Sequence, residues 1–283
     1  MQTEIKNLYK SPLFWAVASG MLLLAVVILL IVELIRPLSA KPDPSQPQTQ
    51  ATTEATLPQP EANPLDLGDF AMVGDYLTCL TAPSALGIDV SEWQEEVDWQ
   101  QVKAAGVEFA MIRAGWRGSE IGVLTEDTLA QIHYAGAKAA GVQVGVYFFS
   151  QAISVEEAVE EAEFLLHIID GWELDMPVVY DWEFISADSR TGKLDARTLT
   201  DCTKAFCDKV SQAGFAPMVY FNADQAVERM YLRELTEYGF WLAQYDTVLN
   251  YPYKIDMWQY TETGTVPGIS GNVDINLYFP WEE

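Results

Sequence analysis

The sequence predicts an α/β chain: a TIM-like barrel with eight strands and five main helices, preceded by a single transmembrane helix and a disordered stalk. Three observations carry this. Strand-like and helix-like runs alternate from Leu86 onward, glycines at 106, 141, 171, 214 and 239 fall where helices should stop, and one uncharged apolar run lies near the N-terminus. An open doubly wound sheet would share the alternation, but no glycine-rich phosphate loop follows the first strand.

The apolar run is Pro12 to Val32, "PLFWAVASGMLLLAVVILLIV". At about 1.5 Å per residue its roughly 20 residues cross a hydrocarbon core of about 30 Å. Residues 12–35 are therefore assigned to a membrane anchor in contact with the lipid bilayer, and 1–11 to a cytoplasmic N-terminus. The alternative is a cleaved signal peptide, whose apolar stretch is usually about 7 to 15 residues long, and "LSA" ending at Ala40 is a poor cleavage site because Leu38 is large. Lys6 and Lys10 before the run are matched by Arg36 and Lys41 after it, so basic residues leave the orientation open. Residues 36–64 are rich in Pro, Thr and Gln and lack aromatics, which makes them a stalk with nothing to bury. Residues 65–85 form a lead-in segment, and 86–283 the barrel.

Within the barrel, "LGIDVS" precedes "DWQQVKAAG", "FAMIRAG" precedes "TLAQIHYAGAKAAG", and "VGVYFFS" precedes "SVEEAVEEAEFLLHIIDG". "PVVYDWEF" and "PMVYFNA" follow, with helices expected around Ala196 to Ala213 and Ala226 to Tyr238. Three more strands, "FWLAQYD", "KIDMWQYT" and "NVDINLYF", are joined by loops too short for comparable helices. The expected result is a parallel barrel whose last part has lost its helical cover.

Sixteen basic against 41 acidic side chains give a formal charge of -25, which excludes wrapping on a nucleic-acid backbone. The chain before Leu65 holds four of those basic and five of those acidic residues, so the remainder carries 12 and 36, a net of -24. Cys79, Cys202 and Cys207 do not form a disulfide-dense framework or a zinc spacing. A bridge involving Cys79 and three free thiols are both compatible with the sequence. Nothing calls for a cofactor or a metal, and a monomer is expected. His133 and His167, the only histidines, fall in helices away from the strand ends.

In barrels of this kind active groups gather at the carboxyl ends of the strands. There "VVYDWE" sets Asp181 and Glu183 two residues apart, hence on one face. Asp89 ends the first strand, and Asp274 lies in the eighth, which closes the barrel beside it. Four carboxyl groups should converge, and mutual repulsion in a partly dry site pushes one towards the protonated form, a general acid near neutral pH. A lone strand-end aspartate is more often a turn residue or a solvated charge, but four such acids make that reading poor. Around them, Tyr147, Tyr220 and Trp258 offer flat apolar faces, Asn222 and Gln244 offer amides, and Arg113 offers a cation. That mixture suits sugar rings, although strand alternation must turn about half of the aromatics outward.

The set "GIDVSEWQ", "FAMIRAG", "GVYFFS", "VVYDWE", "VYFNA", "FWLAQYD", "MWQYT" and "NVDINLYF", in this order, resembles the glycoside hydrolase family 25 lysozymes, from about Leu86 to Phe279. The resemblance implies N-acetylmuramidase activity on the glycan strands of bacterial peptidoglycan, at the β-1,4 bond from N-acetylmuramic acid to N-acetylglucosamine. It also implies that Glu183 is the proton donor and carries over Asp89, Asp181 and Asp274. Such an enzyme would be a single-pass cell-membrane protein with its catalytic domain outside the cytoplasm. A substrate-assisted route is expected, with an inverting outcome left open. Two other classes stand against it: an anchored barrel that binds wall glycan without cutting it, and a metal-assisted hydrolase.

Overall fold

The computed structural model describes residues 60–281. The anchor and nearly all of the stalk assigned from sequence lie outside the described residues. Among those that are described, no helix is long and apolar enough to cross a membrane.

Eight strands close a barrel: β3 (Ala85–Val90), β4 (Phe109–Arg117), β6 (Gln143–Ser150), β7 (Val178–Trp182), β8 (Pro217–Asn222), β9 (Gly239–Ala243), β10 (Met257–Gly264) and β11 (Val273–Tyr278). Pairing of β3 with β4 completes the ring. Three strands lie outside it: the hairpin β1 (Phe70–Val73) and β2 (Tyr76–Cys79) comes before the barrel, and β5 (Leu124–Glu126) adds an antiparallel rung to β4. The expected all-parallel arrangement needs correction. β11 runs antiparallel to both of its neighbours, β10 and β3. Only residues 265–272 separate β10 from β11, a connection too short for the crossover that a parallel return needs.

Five helices accompany the barrel: α1 (Trp99–Ala104), α2 (Ala130–Ala140), α3 (Val155–Ile168), α4 (Ala196–Gln212) and α5 (Ala223–Glu228). Side-chain caps start four of them: Asp98, Ser154, Asp195 and Asn222 each accept from a backbone N–H in the first turn. Gly141 ends α2 at φ 74°, as the stop signal predicts. The fifth helix departs from expectation. It starts at Ala223, ends at Glu228 and yields to a short 3-10 turn at Leu232–Glu234, while Gly239 opens β9 instead of stopping a helix.

The core has two parts. Inside the barrel, Phe109, Met111, Val179, Met218, Tyr220, Trp241, Ala243 and Met257 fill the interior, and a larger cluster packs the outer strand faces under the helices. Gly87 has no side chain because the Phe109 ring takes the space a Cβ would need. All five residues of β7 are buried, which is why its sequence reads as a continuous apolar run interrupted by one acid.

The lead-in segment is built into the fold, and so is the end of the assigned stalk, which corrects its boundary: Ala62 bridges to Tyr253, the Asn63 N–H donates to the Pro252 carbonyl at 3.0 Å, and the Lys254 N–H donates to the Glu61 carbonyl at 2.8 Å. The β1–β2 hairpin turns through Gly74 at φ 67° and packs Phe70 edge-on against Trp258 at 5.1 Å between ring centroids. Cys79, Cys202 and Cys207 are all buried and unpaired.

Trp258, expected at the sugar site, is fully buried in the outer core, between Phe70 and Tyr260. Strand alternation gives the physical reason: of the adjacent pair Trp258 and Gln259 only one can face the interior, and Gln259 does. Trp258→Ala should therefore act on stability, lowering it by about 3 to 5 kcal/mol as large buried aromatics do. Urea denaturation checks this; an unchanged midpoint with weakened glycan binding would return Trp258 to the site.

Candidate active site

The bowl at the carboxyl ends of the parallel strands holds a cavity of about 300 Å³ lined by all four predicted acids. β3 supplies Asp89 and β7 supplies Asp181. Because β11 is reversed, its amino end lies at the bowl, and Asp274 stands directly opposite Asp89 in the ladder. Glu183 follows the last residue of β7 and has no ladder partner.

Asp89 is the most heavily hydrogen-bonded of the four. Its Oδ2 accepts from Gln259 Nε2 at 2.9 Å and Asn276 Nδ2 at 2.8 Å, and its carboxyl group also bonds to that of Asp274. The donors are themselves oriented. Trp241 Nε1 donates to Asn276 Oδ1 at 2.9 Å, while the Tyr220 and Tyr245 hydroxyls donate to Gln259 Oε1 at 2.9 and 3.1 Å. Each amide therefore has its oxygen occupied and its N–H₂ turned towards Asp89. Two bonded carboxyl groups need one proton between them. Burial, then the Asp89 charge and the shared hydrogen bond, push Asp274 up to about 9, so it carries that proton.

The other two acids are also held above the ordinary carboxylate range. Burial raises Asp181, reinforced by the charges of Glu183 and Asp89 and opposed by Arg113. Its Oδ1 is buried without a hydrogen-bond partner. Glu183 is raised by burial and then by the charges of Asp89 and Glu262. Arg113 reaches the cavity wall, yet its guanidinium is engaged elsewhere: Nε donates to Asp127 Oδ2 at 2.8 Å, Nη2 meets Glu92 Oε1 at 3.4 Å, and the group lies 4.6 Å from the Trp116 ring centroid. The acids are moderated by one nearby cation and not neutralised by it.

The remaining predicted residues divide. Tyr147 and Tyr220 line the cavity. Asn222 does not; its side chain caps α5 by accepting from the Gln225 N–H at 2.9 Å. Gln244 lies past the end of β9, and its Nε2 donates to the Val248 carbonyl. Both corrections have the same cause, since an amide at a strand end can satisfy local backbone as readily as a ligand. Trp258, as described, is core.

Several site residues escaped the sequence reading. Trp93, on the 3-10 turn Glu92–Gln94, stands at the rim 77% exposed, a large aromatic with no core to explain it. Its signal was available in "SEWQ". Asn276 shares a strand face with Asp274 two residues away, a pairing that alternation could have supplied. Gln151 had no such signal. It is buried in the loop after β6, donates from Nε2 to the carbonyls of Ser150 and Glu183 at 2.8 and 3.0 Å, and accepts from Thr191 Oγ1 at 2.7 Å. The backbone of Glu183 is thus held by a side chain from the neighbouring strand's loop.

A carboxyl group raised on folding favours the fold at low pH and opposes it as pH climbs from its unfolded towards its folded value. For Asp274 that window runs from the ordinary aspartate value of 3.8 to about 9. Asp274→Asn keeps a donor for Asp89 without a proton to lose, so it should raise stability at pH 7 by roughly 1 to 2 kcal/mol and much less at pH 4. Thermal unfolding at both pH values checks it; equal shifts would refute the shared-proton account.

The model of the glycosyl hydrolases family 25 matches residues 88–269. The autolytic lysozyme of Clostridium acetobutylicum is 28% identical over 193 residues, covering 68% of this chain and 55% of that protein. Among solved structures, the bacterial lysozyme from Streptomyces coelicolor superposes with a TM-score of 0.56 at 26% identity, covering 70% of this chain and 93% of that one. The modular autolysin LytC from Streptococcus pneumoniae, solved with a synthetic peptidoglycan ligand, gives a TM-score of 0.62 at 23% identity. That likeness concerns the fold: it covers 69% of this chain, which spans about half the length of the autolysin (47%).

Proposed function

This chain belongs to glycosyl hydrolases family 25 and is a glycosidase, and from that premise we propose that it cleaves peptidoglycan glycan at the β-1,4 bond from N-acetylmuramic acid to N-acetylglucosamine. The observation that carries the reading is the carboxyl cluster itself: Glu183 is kept towards its protonated form beside Asp181, whose Oδ1 lacks any protein partner. A binding protein gains nothing from such repulsion, whereas an acid catalyst requires it.

In the mechanism we favour, Glu183 gives its proton to the leaving glycosidic oxygen as the bond to the anomeric carbon breaks. The carbonyl oxygen of the substrate's own 2-acetamido group attacks that carbon, and the acetamido N–H donates to Asp181 Oδ1, which disperses the charge on the resulting ring. Water then opens it, returning a proton to Glu183 and leaving retained stereochemistry. Asp89 acts through its charge, keeping the Glu183 proton in place. Trp93, Tyr147 and Tyr245 supply ring faces for the sugars.

Glu183→Gln should abolish the loss of turbidity of purified cell walls while glycan binding stays as in the parent protein and the melting temperature does not fall. Full turnover in that variant removes Glu183 from the role. Parent protein that binds walls and never cuts them would make this a glycan-binding barrel instead. NMR of the first anomer released decides the route, an inverted product excluding the substrate-assisted step.

We further propose that the run Pro12 to Val32 anchors the chain in the cytoplasmic membrane with the barrel outside, where its substrate lies. About 20 residues of Pro-rich stalk precede Glu61, and at roughly 3.1 Å each they would give a reach of some 60 Å. Protease added to intact, wall-stripped cells should digest the barrel; protection until lysis reverses the topology, and release of the whole barrel cut near Ala40 makes the run a signal peptide.

A further inference from the structure

Residues 244–256 join β9 to β10 without a helix. A strand of such a barrel is ordinarily followed by a helix that covers the outer wall, and the flank beside α5 lacks that cover. A groove of about 490 Å³ runs along it, walled by Ala226, Val227, Met230 and Tyr231 on one side and by Tyr251 and Tyr253 on the other. Val227 is 82% exposed and Tyr231 48%. Contiguous apolar surface of this kind on a folded domain marks a place where something binds.

The chain itself arrives there. Ala62 pairs antiparallel with Tyr253, the Lys254 N–H donates to the Glu61 carbonyl at 2.8 Å, and Pro60 lies on the groove wall. Pro60 has no N–H with which to extend that ladder. Residues 56–59, "TLPQ", lie outside the described residues, but the peptide bond to Pro60 ties them to the edge of the groove. Even fully extended, Leu57 lies within about 11 Å of Pro60.

The chemistry of the segment matches the surface. Leu57 and Pro58 are apolar, and residues 56–60 carry no charge. The prolines at 58 and 60 hold φ at about -65° and favour the extended conformation that aromatic-lined grooves bind, so little chain entropy remains to be lost. Glu234 on the groove wall is already engaged by Arg197 Nη1 at 2.7 Å. Pro60 also borders a hollow lined by Glu61, Glu237 and Asp256. Those carboxyl groups offer a leucine nothing, which decides between the two.

We propose that residues 56–59 dock in the apolar groove of their own chain, with Leu57 and Pro58 against Val227, Tyr231 and Tyr253. The end of the stalk then stands in for the helix that the barrel lacks at this flank. In the proposed anchored protein the tether leaves from the side of the barrel beside α5, and its free part shortens to residues 41–55, some 45 Å at roughly 3.1 Å each. Docking does not depend on the muramidase reading.

Two cysteine pairs in the full-length protein, kept in detergent, test it. Leu57→Cys with Val227→Cys should close an intrachain disulfide under mild oxidation, and Leu57→Cys with Ile132→Cys should not, because Ile132 is on α2, across the ring from β9. Val227 and Ile132 are exposed and the three native thiols are buried, so neither pair disturbs the core. Mass spectrometry of the digest reads the bonds. In protein with only its native cysteines, Val227→Asp should speed elastase cutting after Ala55 about tenfold, as the segment spends more time undocked. Equal yields from the two pairs, or cutting that Val227→Asp leaves unchanged, overturn the proposal. A bond from 57 to 227 that joins two chains also overturns it, by giving the groove to the stalk of a second copy. Wall cleavage is read in none of these arms, so a protein that never cuts glycan can still confirm the docking.

Discussion

The carboxyl pair between the first and last barrel strands is the constraint around which the site is arranged. Asp89 and Asp274 meet across the ladder because β11 is antiparallel and brings its amino end to the bowl. A parallel eighth strand would have brought its opposite end there. Once the two are bonded, Gln259, Asn276, Trp241, Tyr220 and Tyr245 are committed to orienting Asp89. The interior of the barrel at this level is a polar network converging on one carboxylate, and each member is satisfied by the next. That network leaves Glu183 and Asp181 as the groups with capacity to spare for a substrate.

The strands and the acids were legible in the sequence for a simple reason. Buried strands need unbroken apolar runs, and an acid interrupting such a run must have a purpose. The direction of β11 was not legible, because a period of two is the same whichever way a strand runs; only the short connection before it carried that information. Parity explains the error at Trp258. The dipeptide Trp258 and Gln259 places one residue inside and one outside, and without an anchor for the register both assignments look equal. Asn222 was misread because helix capping and sugar recognition ask for the same side chain at the same place. The α5 region was overextended because its helical pattern continues past Glu228, where the chain instead turns through Leu232–Glu234.

The lead-in segment illustrates a different limit. Residues 65–85 carried no motif, and composition alone gave them no task. In the fold they close over Trp258 and the end of β11 through Phe70, whose ring lies 6.3 Å from that of Phe279. The hairpin's place is therefore decided by long-range packing that no local pattern reports. Strain also concentrates near the bowl: Glu95, directly after the turn that presents Trp93, is the single non-glycine residue at positive φ (51°) among the described residues.

Glu183 lies one residue beyond the sheet, and its carbonyl hangs from the Gln151 amide. The loop that carries it is moored again by Arg190, which grips Glu157 of α3 through two hydrogen bonds of 2.8 and 2.7 Å. The three aspartates are thus fixtures of the barrel wall, whereas the glutamate is mounted on a bracket bolted to a helix outside. Small changes in the bracket can re-aim that carboxyl group without disturbing a rung of the sheet, so its height and tilt are adjustable independently of the three aspartates.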